Sequence, residues 1–235
     1  QAQTGIPYLL IDGRFDNTPA ALRLVAEVLG VPERGERLAA YVEALVAEVD
    51  EAREAVPPEQ RPRVYLARGA AGLETALAGA LNAEIIERAG GVNVADPQDA
   101  RVRRGIASVS IEQVIVADPD TIVTWDPRFY AGVWDDRLWA GVDAVRNQRV
   151  YLSPTTPFGW IDRPPSINRI MGLRWLSALF MPDRITIDLA EETRRFYALF
   201  YHVDLSDEAL AAVLGRAKGH SSKTVFEASV SCCAS

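Results

Sequence analysis

Residues 33–56, ERGERLAAYVEALVAEVDEAREAV, constrain this chain more than any other stretch. Leu38, Val42, Leu45, Val49, Ala52 and Val56 recur at steps of four and three, the spacing that lines one apolar stripe along a helix. Pro32 suits a first helical turn and Pro57-Pro58 forbids continuation. At about 1.5 Å per residue the helix is a rod of roughly 36 Å, longer than the mean globular helix and comparable to the diameter of a small domain. Two arrangements satisfy it: a surface helix lying on one domain, or a beam joining two lobes.

The rest of the composition leaves room for either. With 235 residues, 49% hydrophobic and 24% charged, the chain can bury a large core, and disordered or collagen-like classes are excluded. A net charge of -7 and a pI near 5.0 argue against nucleic acid and anionic lipid as partners. No apolar run approaches the roughly eighteen residues of a membrane span. The chain opens without methionine or a basic, apolar leader, which leads us to expect a mature or truncated product. Cys232 and Cys233 stand side by side in the segment 216–235. Adjacent cysteines seldom bridge each other and metal sites want spaced ligands, so a frayed tail or an appended remnant is expected there. A body free of cysteine fits a secreted or periplasmic protein.

Ahead of the rod, Ile6 to Ile11 (IPYLLI) is a continuous apolar run suited to a buried parallel strand. Thr18-Pro19 then opens a helix, with Thr18 as its cap and Pro19 in the first turn; its inner face is Leu22, Val25, Ala26 and Leu29, closed by Gly30. Beyond the rod, strands and helices alternate. RVYLA (residues 63–67) is a strand, residues 73–89 are a helix with Leu77, Leu81, Ile85 and Ile86 inward, and Gly90-Gly91 stops it. Ser110 with Gln113 makes a capping box for the next helix. Asp118-Pro119-Asp120 turns the chain into the strand TIVTW (121–125), and a helix near residues 135–140 leads to the strand RVYL (149–152). Such alternation predicts an α/β fold with a mostly parallel sheet and flanking helices. Ligands of such sheets sit beyond the carboxyl ends of the strands.

Arginine and aromatic residues gather at those ends. Arg68 and Gly69 follow the first strand; Trp125 ends the second and is followed by Asp126, Arg128, Phe129, Tyr130 and Trp134; Phe158, Gly159, Trp160, Asp162 and Arg163 follow the third. Guanidinium groups pair with carboxylates in a fork and stack on rings, so Arg68, Trp125, Phe129, Tyr130, Trp134, Trp160 and Arg163 together suit a large, partly planar, anionic or metal-chelating ligand. Any one of these aromatics alone is as well explained by packing.

Catalytic material is sparse. His202 and His220 are the only histidines, which leaves almost nothing for a histidine metal cluster or a serine–histidine triad. GxGxxG, GxxxxGK[ST], HExxH and GxSxG are all missing. The turn Gly69-Ala70-Ala71-Gly72 could offer amides to an anion, but a tight turn explains it more simply. Asp126, Asp135, Asp136 and Asp162 could pair as acid and base in a hydrolase-like α/β enzyme using the same rim; solvated turn aspartates are the plainer reading.

The phrases IIERAGGVNVA, SIEQVIVADPDTIVTWDP and WAGVDAVRNQRVYLSP, ahead of PPSINRIMGLRWLSALFMPD, resemble the periplasmic substrate-binding proteins that feed ABC importers of iron–siderophore complexes, haem and cobalamin. The resemblance covers roughly residues 5–215. It implies two lobes joined by one long backbone helix, with the ligand held between them. On that pattern residues 1–31 are the last strand and helix of the first lobe, 32–57 the backbone helix, 58–215 the second lobe with its closing helix, and 216–235 a tail. About a hundred residues that the family usually carries before IPYLLI are then missing.

The same resemblance implies a non-enzymatic protein, periplasmic or extracytoplasmic, lipid-anchored in some members, without a resident cofactor. Its partners are a small-molecule metal chelate and an importer permease at the membrane, which the family meets through one acidic residue on each lobe. Glu112 in SIEQ matches the second-lobe member, although an ordinary glutamate in a first helical turn would look the same. For the ligand, Tyr130 offers a phenol to haem iron, while Arg68 and Arg163 offer charge to a siderophore; a corrinoid is a further option.

Overall fold

The rod is present as one helix. In the computed structural model, which describes residues 5–95 and 105–215 and the backbone of 101–103, α2 runs Pro32–Glu54. The expectations for the tail, including Cys232, Cys233 and His220, lie outside the described residues. The apolar stripe is realised as a buried one: Ala39, Val42, Leu45, Val49 and Ala52 are all at most 9% exposed, with Leu38 and Val56 half-buried. Two compact units, Gln1–Val46 and Ala47–Ser235, divide the chain within this helix.

The first unit holds α1, Thr18–Val28, and the front of α2. Thr18 does not cap α1: Asn17 precedes the helix, no side chain caps it, and Pro19 occupies the first turn. Of the expected inner face, Ala26 is buried, Leu22 and Val25 are half-buried and Leu29 is exposed. Arg23 ties α1 to α2 by forking onto two carboxylates, Glu36 (2.7 Å) and Glu43 (2.6 Å). Hydrogen bonding to that guanidinium holds both carboxyls below the usual glutamate range.

The reading of IPYLLI as a buried strand is corrected. Residues 5–14 have no regular structure, and Ile6, Tyr8, Leu9, Leu10 and Ile11 are 43% to 78% exposed. A parallel strand is built from hydrogen bonds to a neighbouring strand, and none of the described residues pairs with this run.

In the second unit four parallel strands form one sheet in the order β3-β1-β6-β7: β1 Arg63–Ala67, β3 Val92–Asn93, β6 Thr121–Thr124 and β7 Val150–Leu152. Leu66 lies opposite Val123, and Ile122 opposite Val150. Apolar residues fill both faces, so the strands carry no alternation, as expected of a parallel sheet covered on two sides. On one face Tyr65, Ala67 and Ile122 pack with Val114, Phe129, Trp139, Val145 and Val150. The covering helices there are α4 (Ile111–Ala117), α5 (Pro127–Gly132) and α6 (Asp143–Arg146). Val64 belongs to the other face, where Gly91 brings Ile86 and Phe180 close. These two residues belong to α3 (Glu84–Arg88) and α7 (Arg169–Phe180). The end of the unit is α8, Leu189–Phe196, continuing through a wide turn to Tyr201, and α9, Asp207–Leu214.

Two further expectations change. Residues 73–89 are not one helix: β2 (Glu74–Ala76) comes first, and only Glu84–Arg88 is helical. β2 pairs antiparallel with β5 (Ile106–Ser108), which also pairs with β4 (Arg101–Arg103). Leu77, Ile85 and Ile86 are inward as expected, whereas Leu81 is 37% exposed in the turn between the two elements. The helix near 135–140 is instead a single turn at Trp139–Gly141 followed by α6. The capping box of α4 forms as read: Gln113 N–H donates to Ser110 Oγ (3.3 Å) and Ser110 N–H to Gln113 Oε1 (2.7 Å).

Candidate ligand-binding site

The parallel sheet brings Arg68, at the end of β1, next to Trp125, at the end of β6, and the loop after β7 adds Arg163. Both guanidinium groups lie against the same indole: Arg163 Cζ is 4.3 Å and Arg68 Cζ 5.9 Å from the Trp125 ring centroid. Trp125 is buried, and its Nε1–H has no acceptor among the described residues.

A carboxylate balances half of this charge. Asp162, 1% exposed, places Oδ2 3.0 Å from Arg68 Nε. The two atoms are at ion-pair distance without hydrogen-bond alignment, so the contact is ionic. Its other oxygen, Oδ1, accepts from Asn82 Nδ2 (2.5 Å) and from the backbone N–H of Arg163 (2.7 Å). Among the described residues neither the Nη groups of Arg68 nor the Arg163 side chain meets an acceptor. The geometry is a pair of cationic forks around one ring with their terminal donors unused, which suits an oxygen-rich anion.

The loop carrying Asp162 and Arg163 is braced from below. Asn168 Nδ2 donates to the Phe158 carbonyl (3.0 Å), and Tyr197 Oη to the Thr156 carbonyl (2.5 Å). Gly172 of α7 abuts the Trp160 carbonyl so closely that a Cβ would stand 1.8 Å from its oxygen, and a Cβ on Gly159 would stand 1.8 Å from the Asp162 carbonyl oxygen. Behind the loop, Arg169 meets Glu84 at 2.9 Å with both side chains largely buried. Burial lowers the Arg169 pKa despite that partner.

The remaining rim residues go elsewhere. Phe129 packs edge-on to Trp139 in the core, and Trp160 is fully buried. Tyr130 and Trp134 are half-buried and meet each other edge-on at 5.7 Å; burial raises the Tyr130 hydroxyl. Asp126 and Asp162 are not the solvated turn aspartates expected, being 1% exposed, while Asp135 and Asp136 are exposed. Asp126 caps α5 and pairs with Arg128 at 2.8 Å. Asn82 was missed by sequence reasoning, and Asp162 was named as one of the rim residues and as a possible acid. Gly69 and Gly72 close a tight turn, with Gly72 N–H donating to the Gly69 carbonyl. Among the described residues no cluster of three His, Cys, Asp or Glu side chains could hold a metal, and no helix is long and apolar enough to cross a membrane.

Glu112 belongs to α4. It sits exposed in the first turn, its carboxyl held below the ordinary range by the Ser110 hydroxyl and its own N–H. It lines a cavity of about 540 Å³ with Arg63, Tyr65, Val92 and Val116.

Compared with known proteins, residues 3–156 match the model of the periplasmic binding protein family. The chain belongs to that family. Among solved periplasmic binding proteins and their kin, an ABC transporter solute binding protein from Sulfurospirillum deleyianum superposes with a TM-score of 0.83 at 34% identity, covering 91% of this chain and 66% of that one. A molybdate-bound MolA from Haemophilus influenzae superposes with a TM-score of 0.67 at 26% identity, covering 82% and 58%. In sequence, the molybdate-binding protein MolA is 26% identical over 199 residues, 83% of this chain but 55% of MolA. The chain thus spans about half the length of this curated relative.

Proposed function

We propose that this chain is part of an extracytoplasmic solute-binding protein that captures a small oxygen-rich anion, a molybdate-type oxyanion or an anionic iron chelate, and delivers it to an ABC importer permease. The observation that carries the reading is the pair of guanidinium groups on Trp125 with no acceptor for their terminal donors among the described residues. Both ligand types present anionic oxygens, which arginine forks recognise through paired N–H donors. The relatives support the oxyanion arm, since MolA is a molybdate-binding protein. Haem is less favoured, because partial burial raises the Tyr130 hydroxyl and so disfavours the iron-binding phenolate. The role is binding, not catalysis, in keeping with the family and with buried aspartates already committed to arginines. Glu112, exposed and ionised in the first turn of α4, is the proposed contact to permease arginines.

Tryptophan-fluorescence titration with molybdate, tungstate, a ferric siderophore, haemin and a corrinoid tests this. We expect one oxyanion or the ferric siderophore to bind at micromolar concentration, weakening as salt rises, and Arg68→Ala and Arg163→Ala each to lower affinity at least about tenfold, a loss of about 1.4 kcal/mol. Turnover of an ester or phosphate without any such binding would establish the hydrolase alternative. Unchanged affinity in both arginine variants would remove the site.

A further inference from the structure

We infer that Asp162 is the positioning residue of the two-arginine clamp, an inference that rests on the reading of that clamp as an anion site. A carboxylate beside an anion site needs a reason, since its charge opposes the ligand and its burial is costly unless paired. At 1% exposure Asp162 has no solvent to offset that cost. What it does instead is join three separate pieces of chain: Arg68 from the end of β1, Asn82 from the turn before α3, and the backbone of Arg163.

Each contact sets a part of the clamp. The ionic contact at 3.0 Å engages Arg68 through Nε, leaving both Nη groups for a ligand. The 2.7 Å bond to Arg163 N–H holds a residue in the left-handed region at φ 71°, a conformation that non-glycine residues adopt only when the surroundings impose it. From that backbone the Arg163 guanidinium reaches the Trp125 face. Two guanidinium groups on one indole repel each other, and Asp162 offsets one of the two charges in the ligand-free protein. Asn82, whose amide donates to Oδ1, orients the carboxylate without altering its charge.

Two roles for Asp162 predict opposite signs. If it merely competed with the ligand for Arg68, Asp162→Asn would strengthen anion binding by removing a negative charge. As a positioning residue it weakens binding when changed to Asn, and does so through Arg68, because the asparagine Oδ1 still accepts from Asn82 and from the Arg163 N–H. The test is a double-mutant cycle on the whole protein with molybdate and a ferric siderophore as probes. Asp162→Asn lowers affinity about tenfold, or about 1.4 kcal/mol, in the natural background, and changes it by less than about twofold when Arg68 is already alanine. Asn82→Ala, which leaves every charge in place, weakens binding in the same direction by about threefold.

A ligand-free arm separates this proposal from the functional reading. Nitrogen–proton NMR follows the Arg163 backbone amide, which donates to Asp162 Oδ1 in the natural protein and loses its resolved, slowly exchanging signal in Asp162→Ala, where the acceptor is gone. A rise in affinity in Asp162→Asn, an equal loss in both Arg68 backgrounds, or an unchanged NMR signal in Asp162→Ala overturns the positioning role. If the natural protein binds neither probe, the functional reading fails, and the NMR arm still decides what Asp162 does.

Discussion

The bracing of the site loop by α7 makes one substitution diagnostic. In Gly172→Ala the new methyl would lie 1.8 Å from the Trp160 carbonyl oxygen, against the 3.4 Å at which ordinary contact begins, and only 3.3 Å from Ile85 Cγ2. The obstacle is backbone, which a rotamer change cannot clear, so either α7 or the loop must move by about 1.5 Å. Overpacking of this kind costs about 1–3 kcal/mol, and a rigid obstacle places it at the upper end. Alanine returns about 1 kcal/mol of helix propensity. The clash wins, leaving a net loss of about 2 kcal/mol. In urea, with a slope of about 2 kcal/mol/M, that lowers the unfolding midpoint by about 1 M at unchanged slope. Gly132→Ala is the control: a Cβ there meets nothing within 4 Å, so the variant is neutral or gains up to about 1 kcal/mol. If Gly172→Ala unfolds at or above the natural midpoint, the helix does not abut Trp160 and the account of the loop is wrong.

Asp126→Asn removes a charged N-cap whose folded pKa lies below the ordinary aspartate value, chiefly because Arg128 hydrogen-bonds to it. A depressed acid contributes stability above its unfolded pKa of about 4 and loses it as the pH falls through the folded value. Since the Arg128 side chain is 72% exposed, the pair is worth little and asparagine still caps the helix; the variant should lose less than about 1 kcal/mol at pH 7, and the gap should close in acid denaturation curves as the pH falls below about 4. Glu84→Gln removes the carboxylate 2.9 Å from the buried Arg169 and should cost about 3 kcal/mol in chemical denaturation, whereas Glu84→Leu combined with Arg169→Met should cost less because both charges of the pair are removed. Tyr197→Phe leaves the Thr156 carbonyl without its donor and should lower stability by about 1 kcal/mol, seen as a fall in the thermal midpoint.

What could be read in advance was what local chemistry decides. The rod follows from a period of 3.6 residues bounded by prolines, and the capping box of α4 from Ser110 and Gln113 three places apart; neither needs information from elsewhere in the chain. IPYLLI failed because an apolar run reports a preference for burial without naming what would bury it. Residues 73–89 failed for a related reason. Their apolar spacing fits a helix, but Glu74–Ala76 is claimed by Ile106–Ser108, about thirty residues on, and pairing of that kind overrides local preference.

The site divides along the same line. Arg68, Trp125 and Arg163 could be named because parallel strands place their carboxyl ends on one rim, a rule of topology that needs only the strand list. Asp162 could not be assigned its role in the same way, because an aspartate in a Pro-rich loop is a solvated turn residue unless something removes its water. What removes it is distant in sequence: Arg68 and Asn82 are 94 and 80 positions away, and α7 presses the loop down through Gly172. The residue that organises the clamp is therefore the one whose surroundings come from three separate segments. An Asp–Arg pair after the last strand, when an arginine also ends the first, is the pattern that would have pointed to it. On the proposed reading that pattern converts two repelling cations into an ordered pair, which is the reason a buried carboxylate would stand beside an anion site.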